Sequence, residues 1–339
     1  MADAINPPNL IRLVPAKGSR NGTDTEGRRL PFYGNRRPFA LSRLAPGKGA
    51  PLQPAYAIPP CVTVQDLSRR FVRRGGAPLP ALEGVSLVVE SGQFAAIVGP
   101  SGCGKSTLLR IMAGLDVPTS GMMRIEGAAM PLGASGYMPQ RDLLLPWRTV
   151  LDNATLGLEY AHVPRAEARE RARVLLQAFG LVGFEGASPA ELSGGMRQRV
   201  ALLRTVLAGR PLLLLDEPFG ALDAITRAEL HEWLTGLLAE LQATVILVTH
   251  DLEEAAYLSD VVHVMGDRPG RIVASIPILL PRPRPYEVTA SAEFAALKGR
   301  LLAALRGAHV PATGCGVAGT DRRTASPAPG PASRGGGWP

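Results

Sequence analysis

One segment constrains this chain more than any other: a glycine-rich loop directly after an apolar run and directly before a helical pattern. The apolar run covers residues 94–98, and helical spacing covers residues 107–113. The loop consists of Gly99, Pro100, Ser101, Gly102, Cys103, Gly104, Lys105, Ser106 and Thr107. Glycines let backbone N–H groups turn inward toward an anion, and the following helix N-terminus adds the positive end of its dipole. The order of strand, loop and helix predicts a loop that binds the phosphates of a nucleotide.

Three side chains of this loop carry separate predictions. Lys105 supplies the positive charge for the β- and γ-phosphates of ATP, and the Ser106 hydroxyl can ligate Mg²⁺. Cys103 has two interpretations: a reactive thiol beside the bound phosphates, or a small residue that fills a variable loop position. The second is favoured. The cofactors expected from the loop are therefore ATP and Mg²⁺.

A second apolar run, residues 211–215, ends in two carboxylates. Asp216 and Glu217 follow it directly, and Pro218 comes next. An isolated pair of this kind is usually a solvated turn. Beside a phosphate-binding loop, however, Asp216 is placed to provide an oxygen ligand for Mg²⁺, and Glu217 remains to orient or deprotonate the attacking water.

Residues 192–199 form a third motif, Leu-Ser-Gly-Gly-Met-Arg-Gln-Arg. Ser193 is a plausible helix N-cap, and Gly194 and Gly195 allow close backbone approach, which makes a second anion-binding helix end. Taken alone, the motif more often marks an ordinary capped helix. Together with the phosphate loop, it resembles the signature segment of ATP-binding cassette (ABC) ATPases.

This resemblance implies roles for four further residues. Gln140 resembles the glutamine that reaches Mg²⁺ and the attacking water, and it opens a loop that faces the permease. Asp223 resembles the aspartate that links two active sites, and His250, directly after residues 244–249, resembles the switch histidine at the γ-phosphate. Phe71 is the candidate for stacking on adenine.

The chain as a whole predicts an α/β protein. Apolar runs at 61–66, 84–89, 94–98, 211–215, 244–249 and 260–264 alternate with longer helical stretches. Such alternation indicates a parallel sheet covered by helices. Helical spacing at 150–160, 165–179 and 195–208 predicts an inserted helical subdomain at about residues 141–200. The resemblance implies the ABC ATPase architecture: a P-loop NTPase (RecA-like) core with this helical subdomain and an antiparallel β part.

Charge and glycine content divide the chain into three parts. The formal charge is +8, from 37 basic and 29 acidic residues. Residues 1–57 hold nine basic and three acidic groups, and residues 309–339 hold three and one. Both ends are rich in glycine and proline, so they are predicted to be disordered tails. Residues 58–308 are neutral and predicted to form the ATPase domain, so no nucleic-acid partner is expected.

The sequence has no clear feature of a secreted, membrane-spanning or disulfide-bonded protein. The N-terminus lacks the apolar stretch of a secretory signal, and no run approaches the roughly 18 apolar residues of a membrane helix. Three cysteines without a CxxC pair support neither a disulfide framework nor a zinc site. These features predict a cytoplasmic protein, and any transport by it would require separate permease subunits.

The resemblance also implies partners. In the ABC family the phosphate loop of one subunit is completed by the signature segment of the other, so a homodimer holding two ATP molecules is expected. Residues 143–147 form an apolar cluster, which predicts either permease docking or a loop folded onto the helical subdomain. Residues 143–159, 268–273 and 281–284 resemble importer ATPases for nitrate, sulfonate, taurine and thiamine-precursor pyrimidines. These work peripherally at the cytoplasmic face of the membrane, with an extracytoplasmic solute-binding protein.

Two other classes stay open at this point. An exporter or lipoprotein-release ATPase would have the same core motifs. A soluble ABC ATPase acting on nucleic acid or ribosomes usually has a long coiled-coil insertion or two cassettes, and this sequence has neither. A GTPase is disfavoured because the guanine-specificity motif Asn-Lys-x-Asp is absent. Residues 291–308 have helical spacing that predicts a terminal helix packed on the domain, with a regulatory surface as the alternative.

Overall fold

The apolar runs form strands and the periodic segments form helices in the computed structural model, which describes residues 62–308 apart from 74–75, 126–127, 130–132, 134 and 242. The strands are β1 (Val62–Arg73), β2 (Gly76–Val89), β3 (Phe94–Val98), β4 (Ser120–Ile125), β5 (Ala128–Ala129), β6 (Ser135–Met138), β7 (Leu212–Asp216), β8 (Thr244–Val248), β9 (Val261–Met265) and β10 (Ile272–Pro277). The helices are α1 (Lys105–Met112), α2 (Val150–Ala154), α3 (Leu156–Tyr160), α4 (Arg165–Ala178), α5 (Gly194–Leu207), α6 (Ala224–Leu241), α7 (Leu252–Leu258) and α8 (Ala292–Ala308). Two 3₁₀ helices lie at Pro189–Glu191 and Tyr286–Ala290.

A six-stranded sheet in the order β10-β9-β3-β8-β7-β6 forms the centre of the fold. All neighbouring pairs are parallel except β10 with β9. Every residue of β3, β7 and β8 is buried, because both faces of the sheet are covered. The carboxyl ends of these three strands share one edge of the sheet, so the segments that begin after Val98, Asp216 and Val248 are brought together there.

Alternate residues of the central strands belong to two separate hydrophobic cores. In β3, Phe94, Ala96 and Val98 pack with the helical part of the chain. Ala95 and Ile97 point the other way, toward α1, β1 and β2. This period of two is what a strand covered on both faces requires, and it holds the phosphate loop at the end of a rigid element.

A second, four-stranded sheet in the order β2-β1-β4-β5 is antiparallel throughout. Its long hairpin continues past the predicted strand ends, since Phe71 pairs with Leu79 and Arg73 with Gly76. The antiparallel part implied by the family resemblance is therefore present. It packs on the side of the central sheet that also carries α1.

The helical subdomain comprises α2 to α5, and one predicted helix differs from the observed one. Residues 150–160 form two short helices that meet at Thr155. The Thr155 hydroxyl donates to the Leu151 carbonyl at 3.1 Å, a contact that commonly bends a helix. Thr149 caps the start of α2 by accepting from the Asp152 N–H.

Helix α8 packs on the domain as predicted. Phe294, Leu297 and Leu301 are buried in the same core as the helical subdomain. Across the described part of the chain, no helix is both long and apolar enough to cross a bilayer. The tails predicted at 1–57 and 309–339, together with Cys61 and Cys315, lie outside the described residues. The proposed domain boundaries therefore stay predictions.

Sequence periodicity missed four strands, β4, β5, β6 and β10. Strand β4 is mostly exposed, β5 has two residues, and β6 contains serine and glycine. Strand β10 alternates between half-buried and exposed positions at a sheet edge. Such segments become strands because a neighbour offers hydrogen bonds, which local propensity does not reveal.

Candidate functional site

The phosphate loop is shaped by close backbone contacts. A Cβ atom added at Gly99 would lie 2.6 Å from the Met265 carbonyl oxygen, and one at Gly104 would lie 2.8 Å from the Ala81 carbonyl oxygen. Gly104 also has a φ of 112°, in the left-handed region that favours glycine. Only glycine fits at these two positions, so β2 and β9 press the loop into a narrow turn ahead of α1.

Lys105 starts α1 and lies inside this turn. It is 7% exposed, and its Nζ donates to the carbonyl oxygens of Gly99 at 2.7 Å and Pro100 at 2.8 Å. These two bonds hold the ammonium group against the loop. Ser101 and Ser106 are exposed around it, and Thr107 is half-buried.

Cys103 is a packing residue in this arrangement. It is 1% exposed, and burial raises the pKa of its thiol although the Lys105 charge opposes that shift. A buried neutral thiol is a poor nucleophile, because the thiolate is the reactive form. The geometry therefore favours the space-filling interpretation, and alkylation of the folded protein at Cys103 is expected to be slow.

Asp216 ends β7 within reach of the phosphate loop. Its carboxyl is 2% exposed and hydrogen-bonds the Ser106 hydroxyl. Burial raises the pKa of Asp216, while the Ser106 hydrogen bond and the Lys105 charge act in the opposite direction. A hydroxyl and a carboxylate thus meet beside the loop, at the edge where β3 and β7 end.

Glu217 is the centre of the second half of the site. Gln140 Nε2 donates to its Oε2 at 3.1 Å, and His250 Nδ1 lies 3.5 Å from its Oε1. The Glu217 side chain is 23% exposed, and that of His250 is 65% exposed. Three predicted residues from separate segments therefore converge on one carboxylate that solvent can reach.

Sequence reasoning assigned no role to Gln198, which the structure places beneath Glu217. Gln198 is buried in α5, and its Nε2 donates to the Glu217 carbonyl oxygen at 2.8 Å. The Glu217 N–H donates to the Val248 carbonyl at 2.9 Å. These bonds hold a backbone with φ of 49° at Glu217. The only sequence signal for this role is the position of Gln198 inside the signature motif.

The signature segment caps α5 as predicted. Ser193 Oγ accepts from the Met196 N–H at 3.2 Å, and Gly194 is exposed. A Cβ atom added at Gly195 would lie 3.1 Å from the Ala221 carbonyl oxygen. The segment thus packs closely on the turn that leads to Asp223, whose Oδ1 accepts from the Thr226 N–H at 3.0 Å and caps α6.

Phe71 lies on β1, two residues beyond Arg69. The Arg69 guanidinium carbon is 4.7 Å from the centroid of the Phe71 ring. Arg69 pairs across the hairpin with Leu82, and Leu82 contacts Gly104. The half-buried ring is therefore carried by the same hairpin that presses on the phosphate loop.

The loop after Gln140 is exposed at two apolar positions. Leu143 is 60% exposed and Trp147 is 77% exposed, whereas Leu144 and Leu145 are half-buried. Asn153 fixes the loop from beneath, since its side chain accepts from the Leu145 N–H and donates to the Leu145 carbonyl. Two leucines of the cluster are thus half-buried, while Leu143, Pro146 and Trp147 face solvent, and permease docking stays a prediction.

The comparisons with known proteins agree with this geometry. Residues 82–220 match a family model described as ABC transporter. The chain is 40% identical to the nitrate import ATP-binding protein of Synechocystis over 252 residues, which are 72% of this chain and 94% of that protein. It is 49% identical to an aliphatic sulfonates import ATP-binding protein of Rhodococcus jostii, over 65% of this chain and 85% of that one. It is 45% identical to the taurine import ATP-binding protein of Rhizobium johnstonii, over 60% and 79%.

Solved structures agree as well. The fold matches a dimeric ATP-binding cassette in a post-hydrolysis state bound to ADP and phosphate, with a TM-score of 0.60 and 30% sequence identity. The match covers 65% of this chain and 100% of that one. The predicted fold class is therefore confirmed.

Proposed function

Because this chain belongs to the ATP-binding proteins of ABC transporters, we propose that the edge where β3, β7 and β8 end is its ATP-hydrolysing site. The chain is an ATPase subunit of an ABC importer of the nitrate, sulfonate or taurine type. One observation supports the assignment of residues to this site. Gln140 and His250 converge on Glu217, and Ser106 contacts Asp216 beside them.

The phosphates of ATP are proposed to lie in the loop 99–107. Lys105 would exchange its bonds to two loop carbonyls for the β- and γ-phosphate oxygens. Inward backbone N–H groups and the start of α1 supply the remaining positive potential. Phe71 is proposed to stack on the adenine, with Arg69 on the same hairpin adding charge.

The residues near the loop fit Mg²⁺. Ser106 and Asp216 offer a hydroxyl and a carboxylate oxygen, and Mg²⁺ prefers such hard donors, usually with one or two carboxylates plus substrate phosphates. Gln140 is proposed as a further oxygen donor. When bound, Mg²⁺ neutralises charge on the phosphates.

Glu217 is proposed to accept a proton from the attacking water. Its carboxylate is partly open to solvent and touches Gln140 and His250, which can orient the water and contact the γ-phosphate. Gln198 supports this role indirectly, since it holds the Glu217 backbone and not the water.

A second copy of the chain is proposed to complete each site. Ser193, Gly194 and Gly195 form a helix start whose N–H groups would face the γ-phosphate held by the partner. Gly194 is exposed, so this helix start is accessible. Asp223 is proposed to link the two sites. ATP binding would close the dimer and hydrolysis would release it.

The permease contact is proposed at Leu143 and Trp147. Both side chains are exposed on a loop that begins at Gln140, so movement at the Glu217 site is passed to the membrane partner through a short segment. The protein would then lie peripherally at the cytoplasmic face of the membrane. The solute-binding protein acts on it only through the permease.

Purification of the intact complex from native membranes tests the importer assignment. A permease should copurify, and ATP hydrolysis in proteoliposomes should rise several-fold when a binding protein loaded with nitrate, a sulfonate, taurine or a thiamine-precursor pyrimidine is added. Recovery of the chain without any membrane protein would favour a soluble ATPase. Stimulation by a substrate from the cytoplasmic side alone would favour export.

A further inference from the structure

Two residues of α6 bridge the segments that carry Glu217 and His250. Arg227 and His231 are four positions apart, so they lie on the same face of the helix. One terminal nitrogen of Arg227, Nη2, donates to the Leu222 carbonyl at 3.0 Å. The other, Nη1, lies 3.5 Å from Asp251 Oδ2. Arg227 therefore contacts the turn before Asp223 and the residue directly after His250.

His231 makes the second connection one helical turn later. Its Nε2 lies 3.3 Å from Glu254 Oε1, and the two side chains are 4% and 6% exposed. Its ring packs against that of Phe219 in a T-shaped arrangement, with centroids 4.5 Å apart and planes at 83°. His231 thus contacts the segment two residues beyond Glu217 and the first turn of α7.

Both connections reach the same two segments. Residues 217–223 begin at Glu217 and end at Asp223, and residues 250–254 begin at His250 and enter α7. Asp251 also caps α7 by accepting from the Glu253 N–H at 2.8 Å. A shift of either segment would have to break directional contacts with α6.

We propose that Arg227 and His231 are positioning residues that hold Glu217 and His250 in register for hydrolysis. This inference rests on the proposed roles of Glu217 and His250. The pair His231 and Glu254 is almost fully buried, where apolar side chains of similar volume would pack without desolvation cost. What the polar pair adds is direction: a hydrogen bond fixes the orientation of α7 relative to α6.

The predicted kinetic signature separates positioning from packing. Neither residue lies in the phosphate loop, so the affinity for ATP should be retained while turnover falls. Displacing reacting groups by about 1 Å can lower a rate by about 100-fold. We expect a decrease in kcat of about ten- to 100-fold, with KM for ATP within about twofold of the original value.

The central variant is the double substitution His231→Leu with Glu254→Leu, which replaces the polar pair by an apolar one. Its melting temperature should match or exceed that of the unsubstituted protein. Arg227→Met removes the other connection, and Arg227→Lys should rescue it only partly, because one ammonium group does not reproduce the fork of a guanidinium. Lys298→Met is the matched control: it breaks a 2.7 Å contact with Glu253 on α7 that does not involve α6.

ATPase kinetics and thermal melting of the full chain decide the outcome. Lower kcat, with KM within about twofold and a melting temperature no lower than that of the unsubstituted protein, in the bridge variants, together with unchanged kinetics in Lys298→Met, would support the proposal. The proposal would be overturned if the bridge variants turned over ATP as fast as Lys298→Met. It would also be overturned if their loss of turnover paralleled a decrease in melting temperature. Glu217→Gln distinguishes failure of the proposed function from failure of the positioning role. If that variant keeps full turnover, the proposed hydrolytic role of Glu217 is wrong. If it is inactive while the double variant is fully active, only the positioning role is wrong.

Discussion

Glu217 illustrates how one side chain depends on the backbone beneath it. A φ of 49° is uncommon for a residue with a side chain and carries a cost of about 1–3 kcal/mol. Gln198 and the Val248 carbonyl hold this conformation from two sides. This backbone conformation directs the Glu217 carboxylate toward Gln140 and His250 and away from the buried end of β7.

Substituting Glu217 by glutamine should separate binding from hydrolysis. The amide keeps the shape of the side chain but cannot take a proton from water, so kcat is expected to fall by about 100-fold or more. The dissociation constant for ATP should change little, because the phosphate loop is untouched. Steady-state hydrolysis and a nucleotide-binding titration measure the two quantities. Glu90→Gln, at an exposed position in the loop after β2, is the control and should match the unsubstituted protein.

His263 should make the folded state sensitive to acid. Burial lowers the pKa of its imidazole to about 4, from an ordinary value near 6.5. Because the pKa of this imidazole is lower in the folded state than in the unfolded state, the contribution of the neutral ring to stability is complete above pH 6.5. That contribution is lost as the pH falls toward 4. By linkage, the free energy of unfolding should fall by about 2 kcal/mol between pH 7 and pH 5 from this residue alone.

Urea unfolding at the two pH values measures the His263 contribution. The ring nitrogen Nδ1 lies 2.8 Å from Ser275 Oγ, so the informative variant is His263→Leu with Ser275→Ala, which removes both polar partners. The pH dependence of its stability should be smaller by the same amount. An identical dependence in both proteins would show that other groups cause the acid sensitivity.

At the scale of elements, Asn153 in α2 organises the loop proposed to meet the permease. Its side chain is fully buried and meets four backbone groups: it accepts from the Leu145 N–H, and its two amide hydrogens are shared among the carbonyls of Leu145, Arg148 and Thr149. A loop with two exposed apolar side chains needs such support, because their own packing on the domain is small. The helix therefore shapes the docking surface without being part of it.

Replacing Asn153 by leucine should loosen this loop and destabilise the protein by about 1–3 kcal/mol, since buried backbone groups lose their partners. Hydrogen exchange of residues 143–149 should speed up, and stimulation of the ATPase by the permease should decrease more than basal hydrolysis. Asn153→Asp keeps the acceptor for the Leu145 N–H but sets a buried carboxylate oxygen against three carbonyl oxygens, so its loss of stability should be at least as large as that of the leucine variant. Unchanged exchange rates in the leucine variant would contradict the support role.

At the scale of the molecule, each chain holds one phosphate loop and one signature segment. The loop lies between β3 and α1, and the signature segment begins α5. Two solved structures with the same fold are described as dimeric. A self-complementary pair of half-sites closes under two-fold symmetry. Two copies are therefore the smallest unit with complete proposed sites.

Dimer formation should depend on ATP and on the signature segment. In the Glu217→Gln background, light scattering after gel filtration should report a dimer with ATP and a monomer without it. Adding Gly194→Glu should abolish the dimer, because a carboxylate would meet the γ-phosphate held by the partner. The monomer should still fold, because an acidic residue in the first turn of α5 is favourable to the helix dipole. Gly299→Glu, where an added side chain meets open space, is the control. A dimer that survives Gly194→Glu would argue against the proposed interface.

The net charge of +8 belongs to the two ends of the chain and not to the ATPase domain. Removing residues 1–57 is expected to leave the ATPase activity of the purified complex within about twofold of that of the full-length complex. The attraction to anionic lipid should weaken by about 1 kcal/mol for each basic group near the membrane surface. Hydrolysis and binding to phosphatidylserine vesicles measure the two effects. Collapse of hydrolysis would show that these residues contribute to the site.

The sequence by itself identified the local motifs: the glycine-rich loop at 99–107, the carboxylates Asp216 and Glu217, and the capped helix that begins after Ser193. Each of these motifs works through residues a few positions apart, where spacing alone sets the geometry. The contacts of Gln198 and His250 with Glu217, and the bridge from Arg227 and His231, were decided only by the tertiary structure. Apart from the contact of Arg227 with Leu222, these polar partners lie 19 to 33 positions apart in the sequence. They meet because parallel strands end at one edge of the sheet and α6 packs beside them, which no local pattern encodes.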